Sequence, residues 1–75
     1  MSNDIMKFVL IYTVCSFLSG ECLPEITSTK IYDDWNQCTQ AGLVAIKESI
    51  ALFPEDYIND NHLGGRYICR EVNSI

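Results

Sequence analysis

Residues 7–17, KFVLIYTVCSF, contain the longest apolar run in the chain and constrain its fold more than any other stretch. The run is too short for a helix that spans a bilayer, which needs about 20 apolar residues. Its β-branched and aromatic side chains favour a packed strand, and at strand spacing both alternating faces are apolar. We therefore predict a central strand that must be covered on both faces.

The same run also fits the apolar core of a signal peptide, for which Lys7 would supply the preceding positive charge. The residues after the run match a cleavage site poorly. Only Gly20-Glu21-Cys22 approaches the small-x-small pattern, and a lipoprotein signal would need a small residue, not Glu21, directly before the cysteine. The alternative is an exported, disulfide-stapled peptide in which residues 1–22 are the signal segment. The sequence leaves this alternative open.

Size and charge bound the rest of the interpretation. A chain of 75 residues makes one domain with a small core. We predict a single domain over residues 6–73 that follows a flexible N-terminus over residues 1–5. The net charge of −5 disfavours nucleic acid and anionic membranes, because both bind Lys and Arg. The acidic balance favours solubility, and the interpretation of residues 7–17 as a retained strand predicts an intracellular protein, with export as the alternative.

A helix is predicted from Asp34 to Phe53. Asp34 and Gln37 have capping-box spacing, and Pro54 disfavours helical geometry in the residue before it. The apolar residues share one helical face. Gly42 lies in that face, and a glycine in the middle of a helix indicates close approach to a neighbouring element.

Residues 66–72 are a predicted strand, residues 25–32 are a predicted edge strand, and residues 59–65 are a predicted loop after a short turn at 54–58. The fold class is therefore α+β, with one long amphipathic helix packed on a small two- or three-stranded sheet. The predicted central residues are Val9, Leu10, Ile11, Val14, Cys38, Gly42, Ile46, Ile50, Ile68 and Cys69.

The four cysteines are Cys15, Cys22, Cys38 and Cys69. No two of them have the spacing of a zinc knuckle or of a thioredoxin-type pair. An even count in a small chain indicates one or two disulfides, while buried reduced thiols explain the same positions equally well. For any bridge we favour Cys22 or Cys38, joined to a strand cysteine or to each other. A small thiol redox protein is the second functional alternative.

His62 is the only imidazole in the chain. Beside a cysteine it would suggest a nucleophile and its base, but the sequence contains no third orienting group and no nucleophile motif. We therefore predict a protein that is not an enzyme, with no catalytic residue, no cofactor and no metal.

Acidic residues cluster in the predicted helix and in the turn after it, opposed there by Lys47 alone. A solvated face explains them most simply. The functional interpretation is an acidic interaction face that binds a basic surface of a partner protein. Its residues are Asp33, Asp34, Glu48, Glu55, Asp56 and Asp60.

The central run also predicts an assembly state. A single helix covers one face of the sheet, so the other face would leave apolar side chains in water, which soluble monomers avoid over large patches. A second copy would cover that face in a two-fold homodimer. The competing cover is residues 18–32, folded back across the sheet.

Several segments carry a resemblance, namely KFVLIYTVCSF, Gly20-Glu21-Cys22, Tyr32-Asp33-Asp34 through Cys38, Ala41-Gly42 and Tyr67-Ile68-Cys69-Arg70-Glu71-Val72. Together they resemble a group of short uncharacterised proteins from marine phages and bacteria, over most of residues 6–72. That group has no assigned activity, so the resemblance implies only a shared fold and shared cysteine positions. With the acidic face, it leads to the prediction of a phage-encoded accessory protein that acts on a host protein.

Overall fold

The fold is a three-stranded sheet with two helices, seen in a computed structural model that describes residues 6–73. The order along the chain is β1 (Met6–Ser16), β2 (Ile26–Tyr32), α1 (Trp35–Ile50), α2 (Glu55–Asn61) and β3 (Leu63–Asn73). All pairings are antiparallel, in the order β2-β1-β3. The apolar run is therefore the central strand, as predicted. The predicted flexible N-terminus, residues 1–5, lies outside the described residues.

The prediction of one long helix on a small sheet is wrong. There are two helices, of 16 and 7 residues, and the strands of 11, 7 and 11 residues contain more of the chain. The first helix ends at Ile50 rather than Phe53. The N–H groups of Leu52 and Phe53 bond to carbonyls three residues back, so the chain tightens into a turn before the extended Pro54. The fold remains α+β, with the sheet as its larger part.

The predicted loop at 59–65 is also wrong, because α2 continues to Asn61 and β3 begins at Leu63. Only His62 separates them, in the left-handed conformation with φ of 50°. Gly64 and Gly65 lie inside β3. Each gives room to a side chain from another element, since a Cβ on Gly64 would meet the Phe17 ring and one on Gly65 would meet Ile46.

The predicted capping box at the start of α1 is confirmed in its main contact. The Asp34 carboxylate accepts a hydrogen bond from the Gln37 N–H at 2.8 Å. The Gln37 side-chain oxygen accepts one from the N–H of Asp33 at 3.3 Å. These bonds satisfy main-chain donors that the helix itself leaves free, and they set where the helix begins.

The core lies between α1 and one face of the sheet. Its buried residues are Phe8, Leu10, Cys38 and Cys69, with Tyr12, Tyr32, Ala41, Ala45 and Tyr67 packed around them. A Cβ on Gly42 would lie 2.8 Å from the Tyr67 ring and 3.1 Å from Leu10 Cδ1. The glycine therefore allows α1 to approach the sheet closely.

Most of the predicted central residues are buried, and Val9, Ile46 and Ile50 are half-buried. Ile68 is the exception, because 51% of its surface is exposed. It pairs with Ile11 on the face that points away from α1. Neither α1 nor α2 is long and apolar enough to cross a membrane.

Candidate functional site

The sheet has two faces, and α1 packs on only one of them. Side chains alternate along a strand, so the odd-numbered residues of β1 point away from α1. Their cross-strand partners point the same way, as when Val9 pairs with both Ile31 and Arg70. We call this surface the uncovered face. It comprises Lys7, Val9, Ile11, Thr13 and Cys15 of β1, Thr27 and Ile31 of β2, and Gly64, Arg66, Ile68, Arg70 and Val72 of β3.

The loop between β1 and β2 closes one end of the uncovered face. The Leu23 N–H donates to the Val14 carbonyl at 2.9 Å, and the buried Thr13 hydroxyl donates to the Leu23 carbonyl at 2.6 Å. A disulfide joins Cys15 to Cys22 beside them. The loop thus runs back along β1 at this end, where Thr13 and Cys15 are buried, and Ile11 of the central strand is buried as well. The open part of the face is the part with exposed side chains, which include those of Ile31, Arg66, Ile68 and Arg70.

The open part of the face is apolar at its centre and basic along β3. Ile31 and Ile68 are exposed by 54% and 51%. Arg66 and Arg70 are exposed on either side of Ile68. Within residues 6–73 the one ion pair is Lys7–Asp33, so neither arginine has a carboxylate partner there.

The sequence interpretation did not single out Arg66 and Arg70. Strand periodicity could have found them, because Arg66, Ile68 and Arg70 are spaced two residues apart and so share a face. The apolar character of Ile68 alone predicts a core position. That prediction does not take account of the arginines two residues away on either side.

The ion pair at the other end of the face involves one of the predicted acidic residues. Lys7 Nζ lies 2.6 Å from Asp33 Oδ1. The hydrogen bond from Lys7, and then its positive charge, hold the pKa of Asp33 below its ordinary value. Because Asp33 is mostly exposed, the pair adds little to stability.

The six predicted acidic residues fall into two groups along the chain. Asp33 and Asp34 precede the start of α1, whereas Glu48 is in its last turn and Glu55, Asp56 and Asp60 belong to α2. A helix of 16 residues is about 24 Å long. The two groups are therefore separated by about three Debye lengths at physiological salt, and Asp33 is already paired with Lys7.

Three recesses on the surface of residues 6–73 are small. Their volumes are about 170, 220 and 230 Å³, below the range of about 300–1,000 Å³ that is usual for small-molecule sites. The recess of about 230 Å³ lies on the uncovered face and is lined by Ile11, Thr13, Cys22, Glu25, Arg66 and Ile68, among others.

All four cysteines are in disulfides, Cys15–Cys22 and Cys38–Cys69. Each bridge joins a cysteine outside the sheet to a strand cysteine. Cys38 is completely buried, whereas Cys22 is exposed at the surface. The recess beside Cys15 and Cys22 has Glu21 as its one charged residue.

His62 has no thiol to activate, because the described cysteines are all oxidised. Its side chain is exposed, and its main-chain carbonyl accepts a hydrogen bond from the Phe17 N–H at 3.0 Å. Residues 6–73 contain no group of His, Cys, Asp and Glu side chains that could hold a metal ion.

Comparison of the chain with protein-family models, with curated proteins and with solved structures finds no match. The resemblance to short proteins of marine phages and bacteria therefore stays a prediction. The function must be inferred from the geometry of the chain itself.

Proposed function

We propose that the protein is a non-enzymatic interaction module that binds a partner protein through the uncovered face of its sheet. The observation that carries this proposal is that one surface presents both Ile31 and Ile68, each about half exposed, and the exposed Arg66 and Arg70. Apolar contacts at the centre and arginine at the margin are typical of protein interfaces.

The two disulfides support this role by holding the surface in place. Cys38–Cys69 joins α1 to β3, and Cys15–Cys22 joins the loop to β1. A preorganised surface loses less conformational entropy when a partner binds. In a chain of 75 residues such cross-links also compensate for a small core.

The test is a capture experiment with two variants matched for exposed apolar area. Ile31→Ser/Ile68→Ser changes the uncovered face, where the two residues are exposed by 54% and 51%. Leu43→Ser/Val44→Ser changes α1, where the exposures are 53% and 52%. We expect specific partners to be lost with the first variant and kept with the second. The same proteins captured by both variants would contradict the proposal.

The disulfides also indicate the kind of cellular compartment in which the protein works. Such bonds persist in oxidising environments and are rare in the cytosol, so we propose that the protein works outside a reducing compartment. If it is exported, cleavage before Leu23 would remove β1, the strand that pairs with both β2 and β3, and would also remove both cysteines of the Cys15–Cys22 bridge. N-terminal sequencing of the protein from its native source distinguishes a retained β1 from a cleaved one.

The predicted acidic face, its basic partner and the phage origin stay predictions. The division of the acidic residues between the two ends of α1 allows each group to be tested separately. Asp33→Asn/Asp34→Asn would change the group before α1, and Glu55→Gln/Asp56→Asn/Asp60→Asn would change α2. If an acidic face binds a basic partner, only one of these variants should weaken capture and its salt dependence.

The predicted homodimer also stays a prediction, and the uncovered face is the surface that a second copy would occupy. Sedimentation equilibrium at micromolar concentration distinguishes a monomer near 8.5 kDa from a dimer. If a dimer forms through this face, Ile31→Ser/Ile68→Ser should dissociate it and Leu43→Ser/Val44→Ser should not.

A further inference from the structure

The outer edge of β3 is long and regular, and its main-chain N–H and C=O groups are not paired with another strand of the described residues. All 11 residues of β3 pair with β1 in unbroken register, and β3 is the last strand of the sheet. Among the described residues, no main-chain hydrogen bond links β3 to any segment other than β1. One edge of β3 therefore offers N–H and C=O groups to a further strand.

The two edges of the sheet differ. The edge strand β2 has 7 residues, and its pairing with β1 shifts register between Val9 and Ile11. Short strands and irregular pairing are devices that discourage edge-to-edge association. β3 has no proline and no such irregularity in its pairing with β1. Arg66 and Arg70 carry positive charge on the uncovered face. These charges determine which kind of strand can pair with the free edge of β3.

These arginines select against a second copy of the chain. Two β3 strands paired antiparallel about a two-fold axis, centred at Ile68 for the longest overlap, would place Arg66 of each copy opposite Arg70 of the other. Like charges directly opposite one another destabilise a sheet. An extended segment with carboxylates at those two positions would instead form two favourable cross-strand pairs.

We propose that the edge of β3 binds an extended acidic segment of a partner protein as a fourth strand. The segment has the pattern acidic-x-apolar-x-acidic, so that its carboxylates face Arg66 and Arg70 and its apolar residue contacts Ile68. Main-chain hydrogen bonds supply affinity and the alternate side chains supply specificity, as in other cases of strand addition. This inference rests on the proposed function and names the class of partner.

The net charge of −5 does not prevent such binding. At physiological salt the Debye length is about 8 Å, so a bound carboxylate responds to the arginine opposite it more than to the distant residues of α2. Two carboxylates lie near the arginines. Glu25 lines the same recess as Arg66 but does not form an ion pair with it, and Glu71, next to Arg70, pairs with Phe8 on the face that α1 covers.

The probe is a fluorescent peptide, Thr-Glu-Thr-Val-Thr-Glu-Thr, and the readout is anisotropy with the intact, oxidised protein. We expect binding to weaken at least about tenfold with Arg66→Glu/Arg70→Glu and to return with the peptide whose two glutamates are replaced by lysine. The matched control is Lys30→Glu/Lys47→Glu, which changes net charge equally on β2 and α1. It should leave binding of the glutamate peptide nearly unchanged.

Two further measurements test the strand geometry. Alternate N-methylation of the peptide on its pairing edge should abolish binding, and hydrogen exchange of β3 amides should slow in the complex. No binding at millimolar peptide, or equal loss with both charge variants, would overturn the proposal. So would a wild-type dimer in which the β3 amides are already protected from hydrogen exchange without the peptide. The peptide assay needs no natural partner, so its failure is distinct from a failure of the capture experiment.

Discussion

Cys38, in the first turn of α1, is bonded to Cys69 in the middle of β3, and Cys38 is completely buried. The bond joins the helix to the edge strand across the core. The second bridge, Cys15–Cys22, closes a short loop near the surface. The two bonds therefore constrain very different lengths of chain, with separations of 31 and 7 residues.

We predict that Cys38–Cys69 contributes more to stability than Cys15–Cys22. The chain-entropy relation gives about 3.7 kcal/mol for the longer separation and about 2.4 kcal/mol for the shorter one, and the loss of buried sulfur adds to the first. Urea unfolding of Cys38→Ala/Cys69→Ala and Cys15→Ala/Cys22→Ala compares them directly. Equal free energies of unfolding, or the reverse order, would contradict this ranking.

Gly42→Ala should destabilise the protein although alanine favours helices. The gain in helix propensity is about 1 kcal/mol, but a Cβ would lie 2.8 Å from the Tyr67 ring, and overpacking a core costs about 1–3 kcal/mol. The net loss is measured by thermal unfolding. Gln40→Ala, on the exposed side of α1, is the control and should change stability by only a few tenths of a kcal/mol. A Gly42→Ala protein more stable than wild type would mean that the core accommodates the methyl group.

His62→Gly should stabilise the protein by up to about 1 kcal/mol. His62 has φ of 50° at the end of α2, a conformation that glycine adopts without steric cost, and its exposed side chain loses little packing. Asp60→Gly, within α2, is the matched control and should lower the free energy of unfolding by a few tenths of a kcal/mol, because glycine has a lower helix propensity than aspartate. Denaturant unfolding checks both values, and a loss of stability in the His62 variant would refute the expectation.

Lys7→Met should raise the pKa of Asp33 towards its ordinary value, because Lys7 supplies the hydrogen bond and most of the charge that lower it. Since the pKa is lowered in the folded state, the small stabilisation is present above the ordinary aspartate range, near pH 4. It is lost as the pH falls through the lowered pKa. Titration of the Asp33 carboxyl by NMR measures the change. Lys30→Met should have a smaller effect, and an unchanged pKa in the Lys7 variant would count against this prediction.

The sequence predicted features that depend on residues close together in the chain. The abundance of β-branched and aromatic residues in 7–17 predicted β1, and the spacing of Asp34 and Gln37 predicted the start of α1. Both depend on local geometry, namely the strand period and the hydrogen bonds of a helix cap. The close approach of Gly42 to the sheet was also predicted, because a glycine inside the apolar stripe of a helix lowers helix propensity and leaves room for a neighbouring element.

Features that depend on contacts between residues far apart in the chain could not be predicted from local sequence patterns. The pair Gly64-Gly65 suggested a turn, yet both residues lie in β3. They are glycines in a strand where Phe17 and Ile46 occupy the space that their side chains would fill. The acidic residues seemed to form one cluster, but the length of α1 separates them. Ile68 seemed to belong to the core, although its face depends on which side of the sheet α1 covers.

The sequence by itself thus determined the central strand, the start of the main helix and a small α+β domain with four cysteines. Only the tertiary structure decided the antiparallel order β2-β1-β3, the pairing of the cysteines and the presence of Arg66 and Arg70 beside Ile68 on an uncovered face. The physical reason is that local patterns fix backbone periodicity. Strand order and burial depend instead on packing between segments that are remote in the chain.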